Sequence, residues 1–314
     1  MSDTTALLPD AAQHPTDTFG ATAADRFDDA VKDRFADAGR VRRRTLGILR
    51  RPLLVLSIVW LLLVLVAATW PQLLAPGDPL AGVPADKLQP PSAAHWFGTD
   101  QIGRDLYTRV VHGTSLTISA AAIAVAVGIV VGSLLGLVSG FVGGAVDAVI
   151  MRVADVLLSI PGLLLSLAII TALGFGTVNV AIAVGIASVA SVARIMRSEV
   201  IKVRASPFVE AATASGNTRT RILFRHVLPN SAGPVVALGV LEFGGAILAV
   251  SALSFLGYGA PPPAPEWGAL VSGGRDYLRT SWWLTTLPGL VIALTVLAAN
   301  RLAHGLDTNG AARR

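Results

Sequence analysis

No cysteine occurs among the 314 residues, and lysine is confined to positions 32, 87 and 202. The first absence excludes a disulfide framework and any thiolate metal site. The second bears on nucleotide chemistry, because a phosphate-cradling loop ends in Gly-Lys-Ser or Gly-Lys-Thr and no lysine here follows a glycine. ATP hydrolysis by such a loop must therefore sit on another chain. The five histidines, at 14, 95, 112, 226 and 304, never fall at the i, i+3 or i+4 spacing of a helical metal site, so no bound metal or other cofactor is expected. There is no Gly-x-Ser-x-Gly elbow and no His-Glu-x-x-His pair, which sets aside an intramembrane hydrolase.

Charge is also scarce, at 14% of residues, against 53% hydrophobic. A chain this apolar reads as a membrane protein. The formal net charge of +5 could point to nucleic acid, but 22 of the 25 basic residues are arginines and most flank apolar runs, so topology accounts for them.

A helix needs about 20 apolar residues to cross the hydrocarbon core. Residues 53–70, bracketed by Pro52 and Pro71, and the charge-free window 116–138 meet that length, as do 156–173, which contains Pro161, and 282–299. Two further windows are less regular: 178–193 is short, and 234–256 carries Glu242 in its interior. The expectation is an all-α polytopic protein with about six transmembrane helices, five being the fallback. Gly128, Gly132 and Gly136 recur every fourth residue, the spacing that lets helix backbones approach, although glycine is also simply tolerated in lipid.

With six spans and the N-terminus inside, the inner segments hold twenty basic residues and the outer segments five. That bias places both termini in the cytoplasm. Residues 1–52 form an N-terminal tail in which Phe27, Val31 and Phe35 stand four apart among mixed charges, a pattern compatible with an amphipathic helix or a solvated tail. Its polar length excludes an ordinary cleavable signal peptide at the start. The transmembrane domain is expected over 53–307, with a short C-terminal tail over 308–314.

Between the fourth and fifth windows lies a basic segment, 194–230, that cannot span. Ser206 and Pro207 suit an N-cap and first helical position, Ala211, Ala212 and Ala214 continue a short helix, and Ser215-Gly216 breaks it. A second helix is expected from about Thr218 until Pro229 stops it.

These residues carry a resemblance. Glu210-Ala211-Ala212, Gly216, His226 and Leu228-Pro229 resemble the EAA loop of bacterial ABC importer permeases. His95 to Ser119 (HWFGTDQIGRDLYTRVVHGTSLTIS), the DVLLSIPGLLLSLAI run from Asp155 and the LSFLGYGAPPPAPEWGAL run from Leu253 are similar to the dipeptide, oligopeptide and nickel group, and to its second, C-type permease. The resemblance, over about 50–307, implies a coupling helix at 206–229 seated on an ATP-binding subunit, with Glu210, Ala211, Ala212, Gly216, His226, Leu228 and Pro229 as coupling residues. It further implies a second permease, two ATP-binding subunits that hold ATP and Mg, an extracytoplasmic substrate-binding protein, di- or oligopeptide cargo, and a multi-pass position in the bacterial inner membrane. Two departures stand out. Val250 takes a place that is acidic in many relatives, and the end reads NRLAHGLD over 300–307 where relatives have a longer segment.

Glu242 is the one clear intramembrane carboxylate, and it is expected to line the bundle interior or a polar pathway. The alternative is an ion-gradient-driven transporter or channel in which it relays protons. The APPPAP run, 260–265, favours an extended polyproline rim on the outer side, either a docking surface for a binding protein or a bare loop cap.

Overall fold

The computed structural model describes residues 52–311, with side chains as far as His304. The tail with Phe27, Val31 and Phe35 lies outside the described residues, as does the end of the C-terminal tail. Among the described residues the structure is helical, with isolated bridges and no strand. The long elements are α1 (Pro52–Thr69), α2 (Leu106–Val142), α3 (Gly144–Leu158), α4 (Gly162–Leu173), α5 (Thr177–Arg204), α6 (Pro207–Ala214), α7 (Arg219–Phe255), α8 (Trp267–Gly274) and α9 (Trp283–Ala311). Five helices are long and apolar enough to cross a membrane, or six if α3 and α4 form one broken span.

That break departs from the expected continuous span at 156–173. α3 and α4 meet at 97°. Pro161 has extended geometry (φ −53°, ψ 129°) and no N–H to return to α3, whose last turn closes by Ser159 N–H to Asp155 O at 3.1 Å. Neighbouring helices do not straighten the chain through this proline; the chain turns there. α2 differs in length: its 37 residues reach about 55 Å at the helical rise, well beyond the apolar window at 116–138. The helix starts where Asp105 caps it, accepting from Thr108 N–H at 2.8 Å, and ends at Gly143 with φ +74°.

The glycines of α2 face α5. A Cβ placed on Gly132 would lie 2.6 Å from Val192 Cβ, one on Gly136 2.3 Å from Ala193 O, and one on Gly140 2.9 Å from Val200 Cβ. Close packing, not mere tolerance, is what the four-residue spacing serves. Two apolar clusters run through the bundle. One joins α2, α5, α7, α8 and α9 around Ile247, Val250, Trp267 and Trp283; the other joins α2, α5 and α7 around Val192, Met196 and Val200. Val250 is fully buried in the first, so an apolar side chain suits that place.

A lid of loops covers one end of the bundle. Asp100 accepts from Arg104 Nε at 2.6 Å, Arg109 donates to Pro79 O at 3.0 Å and to Pro263 O at 3.3 Å, and Trp283 Nε1 donates to Thr99 O at 3.3 Å. The expected extended rim at 260–265 is instead a tight turn: Ala264 N–H reaches Pro261 O at 3.3 Å across a cis Pro262–Pro263 bond. Pro261, Pro262 and Pro263 stay exposed, while the Arg109 bond to Pro263 O and the burial of Pro265 and Glu266 hold the turn in place.

Glu266 caps α8, accepting from Gly268 N–H at 3.2 Å, Ala269 N–H at 3.3 Å and Thr117 Oγ1 at 3.2 Å. Burial pushes its carboxyl above the ordinary range, with these hydrogen bonds pulling the other way. With the folded pKa raised, the folded state holds the proton longer than the unfolded state, so the ionised carboxyl weakens the fold as pH rises above about 4.3. Glu266→Ala, which leaves the buried Thr117 and Gly268 donors and the half-buried Ala269 N–H unanswered, should cost about 1–3 kcal/mol, read as a lower melting temperature in detergent. Glu266→Gln should cost less and flatten the fall in melting temperature between acid and neutral pH. An Ala variant that melts like the wild type would contradict this.

Candidate functional site

The segment expected to couple forms a helical hairpin outside the spanning windows. α6 runs from Pro207 to Ala214, with Ser206 in the N-cap position, but the Ser206 hydroxyl bonds back to Val203 O at 2.5 Å and caps nothing. Its end is a two-bond Schellman turn: Asn217 N–H reaches Ala212 O at 3.3 Å and Gly216 N–H reaches Thr213 O at 3.0 Å. Gly216 sits at φ +78°, the left-handed region that a side chain disfavours. Asn217 Nδ2 adds a bond of 3.0 Å to the same Ala212 carbonyl.

The second limb departs from the expected stop at Pro229. α7 passes from Arg219 through a π turn at Leu223–Val227 straight into the span ending at Phe255. The wider register, with Leu228 N–H on Leu223 O, carries the chain into a new first turn where the missing N–H of Pro229 does no harm. Asn230 and Ser231 return bonds to His226 O at 2.6 Å and Val227 O at 2.7 Å, so side chains serve the carbonyls the wide turn frees. The second limb of the hairpin and the spanning helix are thus one continuous helix.

The proposed coupling residues divide by exposure. Glu210, Ala211 and Gly216 are exposed and Ala212 half-buried, all on α6 or its closing turn. His226 and Leu228 are half-buried on the second limb; the His226 ring lies 6.5 Å from Phe208, and Pro229 is exposed. The exposed residues offer a surface, while His226 and Leu228 support it. Beside α6 opens a groove of about 660 Å³ lined by Glu210, Thr213, Asn217, Arg204 and Arg219. Glu210, in the first turn of α6, also suits the positive end of the helix dipole.

Several functional supports escaped sequence reading. Val209, 5% exposed, plugs α6 into the second apolar cluster with Ile222 and Val227. Arg204 donates to Gly140 O at 3.0 Å and Phe141 O at 2.8 Å, and lies 5.9 Å from the Phe141 ring, so it ties the root of the hairpin to the end of α2. Arg197 grips Asp147 with bonds of 2.5 and 2.6 Å, and Ser139 joins the same carboxylate. An arginine in the last turn of a helix was the legible signal for Arg204.

Glu242 lies deeper, half-buried on α7, at a cavity of about 260 Å³ where α2, α4, α5 and α7 meet. It is the one charged residue among those lining the cavity, and it has no hydrogen-bond or ion-pair partner among the described residues.

A long-helix bundle with an exposed helical hairpin and an internal cavity calls for comparison with transport proteins. The family model for the binding-protein-dependent transport system inner membrane component matches residues 128–309. The chain belongs to this family. Relatives of this inner membrane component include the dipeptide transport system permease protein DppC of Alkalihalophilus pseudofirmus, 40% identical over 71% of this chain and 73% of that protein. The probable D,D-dipeptide transport system permease protein DdpC of Escherichia coli K12 is 41% identical over 81% and 86%. The di/tripeptide transport system permease protein DppC of Pseudomonas aeruginosa is 38% identical over 80% and 84%. Among solved structures, an inward-facing MetNI methionine ABC transporter matches at TM-score 0.50 and 15% identity, covering 63% of this chain and 95% of that one. An amino acid ABC transporter matches at TM-score 0.51 and 16% identity, covering 65% and 94%. Those structures share the fold. The protein is thus a membrane-embedded permease subunit of an ABC importer, a transport component and not an enzyme, with ATPase activity on separate subunits.

Proposed function

We propose that this permease forms one half of a heterodimeric pathway for di- or oligopeptides and takes its drive through α6 from ATP-binding subunits on the cytoplasmic side. The observation that carries the coupling reading is the hairpin itself: a short helix with an exposed small-residue face, closed at Gly216 and continuous through α7 with a span. Movement imposed on α6 would pass directly into the helix that bears Glu242. The peptide reading rests on relatives named for dipeptides and tripeptides at about 40% identity. In this reading ATP and Mg stay on the partner subunits, a second permease completes the pathway, and a binding protein delivers cargo from outside.

The orientation follows from the excess of basic residues on one side, which places both termini and 206–229 in the cytoplasm. Impermeant thiol labelling tests it without background, because the chain has no cysteine of its own. Ser215→Cys should resist the reagent in intact cells and react in inverted vesicles, whereas Asp276→Cys, in the outer loop, should react in intact cells. Labelling of Ser215→Cys from outside would overturn the orientation and the coupling role with it.

A further inference from the structure

The Glu242 cavity shows an imbalance of hydrogen-bonding groups. A carboxylate within a spanning helix is costly unless something answers it. The cations of α5 are already engaged: Arg194 with Asp155 at 2.6 Å, Arg197 with Asp147 at 2.5 Å, and Arg204 with the Gly140 and Phe141 carbonyls. What answers Glu242 therefore comes from elsewhere.

The cavity wall narrows its nature. Ser166 and Ser188 line the cavity, and each spends its hydroxyl hydrogen on its own helix, on Gly162 O at 2.9 Å and Gly185 O at 2.8 Å. Their oxygens keep only acceptor capacity toward the cavity, while Ser191 on the same wall has no hydrogen-bond partner among the described residues and can turn its hydroxyl either way. A lone carboxylate beside two acceptor hydroxyls suits a group rich in donors, which is the chemistry of an ammonium, and disfavours a second carboxylate. Room is present as well. Gly245 stands three residues along the helix from Glu242 and Gly162 lies on the α4 side; a Cβ on either would meet nothing within 4 Å.

We propose that Glu242, with Ser166 and Ser188, binds the cationic group of cargo in transit, so that this permease favours cargo bearing an extra ammonium over acidic cargo of the same size. The proposal rests on the peptide-import reading above and adds a residue that selects within it.

The test uses the complete importer in proteoliposomes: both permeases, the ATP-binding subunits and the binding protein. An equimolar mixture of alanyl-lysine and alanyl-glutamate, carrying different isotopes, is offered at saturating concentration, and the ratio of lysyl to glutamyl peptide imported is read. The binding protein's own preference is common to every variant and cancels when their ratios are compared. Glu242→Gln should lower the ratio by about tenfold, the shift of one modest charge interaction, and Glu242→Lys should lower it further. Gly245→Phe, which fills the room without altering charge, should slow both peptides alike. An unchanged ratio in Glu242→Gln and Glu242→Lys overturns the inference alone, as the carboxylate would then be protonated or idle. Loss of the second permease from purified Glu242→Gln complex also overturns it, by giving the carboxylate a partner in the assembly. Absence of any dipeptide uptake by the wild type overturns the peptide reading, and the inference falls with it.

Discussion

Gly216→Val is expected to leave the permease inserted and folded while abolishing uptake and stripping the ATP-binding subunits from the purified complex. The argument separates backbone from contact. A side chain at 216 would meet nothing within 4 Å, so no clash is involved. The backbone sits at φ +78°, where an L-residue pays roughly 1–2 kcal/mol and a β-branched one more. The whole-protein cost is modest, because Ser215 and Gly216 are exposed and the turn carries a few local bonds, from the Gly216 and Asn217 amides and the Ser215 and Asn217 side chains. The geometric cost is large. Relief of the strain opens the Schellman turn, swings α6 against the Arg219 limb and takes Glu210, Ala211 and Ala212 out of register with the ATP-binding surface proposed for them. Gly216→Asn makes the sharper control, since asparagine tolerates the left-handed region and should keep most transport. Ala212→Trp should fail for a different reason: Ala212 is half-buried against the second apolar cluster, and bulk there both strains that packing and blocks docking. Co-purification of the ATPases at matched permease expression, with labelled-peptide uptake alongside, decides the matter. Full assembly and transport in Gly216→Val and Ala212→Trp would remove the coupling role.

How much of this was legible from sequence differs by residue, for physical reasons. Gly216 could be read because a helix end and a left-handed backbone are local matters, settled by the order Ala-Ser-Gly. The apolar windows could be read because bilayer thickness fixes their length. Pro161 could not, since a proline in a membrane helix either bends it slightly or ends it, depending on which neighbours serve the freed carbonyls. Pro229 misled in the opposite direction: the π turn that lets α7 run past it is a choice of hydrogen-bond register no residue type announces. The APPPAP rim misled because its shape is set from outside, by the Arg109 bond to Pro263 O and the burial of Glu266. Glu242 drew notice by rarity alone. That its cavity presents acceptors and open room depends on four helices meeting, and only the fold brings Ser166, Ser188 and Gly245 to it.

The second large effect concerns the glycines of α2, where spacing was legible but the opposing surface was not. Gly136→Val is expected to prevent a stable fold. A Cβ at 136 would stand 2.3 Å from Ala193 O and 2.7 Å from Met196 Cβ, and the first contact is backbone of α5, which has no rotamer to escape through. Relief requires the two helix axes to separate, and that pulls apart the cluster of Leu137, Val192, Met196 and Val200 which also anchors Val209 of α6. Overpacking a tight core usually costs about 1–3 kcal/mol, and a clash with backbone belongs at or above the top of that range. Against it stands the gain from replacing a helical glycine, about 0.5–1 kcal/mol, which is too small to change the sign. At Gly289 the balance reverses. It lies within α9, is followed by leucine and not by proline, and a Cβ there meets nothing within 4 Å, so Gly289→Ala should match or slightly exceed wild-type stability. Size-exclusion profiles and thermal melting of fluorescently tagged protein in detergent compare the pair. Gly136→Val should elute as aggregate or be lost from the membrane fraction, while Gly289→Ala elutes as the wild type does. A monodisperse Gly136→Val protein with a melting temperature within a degree or two of wild type would show that α2 and α5 do not pack through this glycine face.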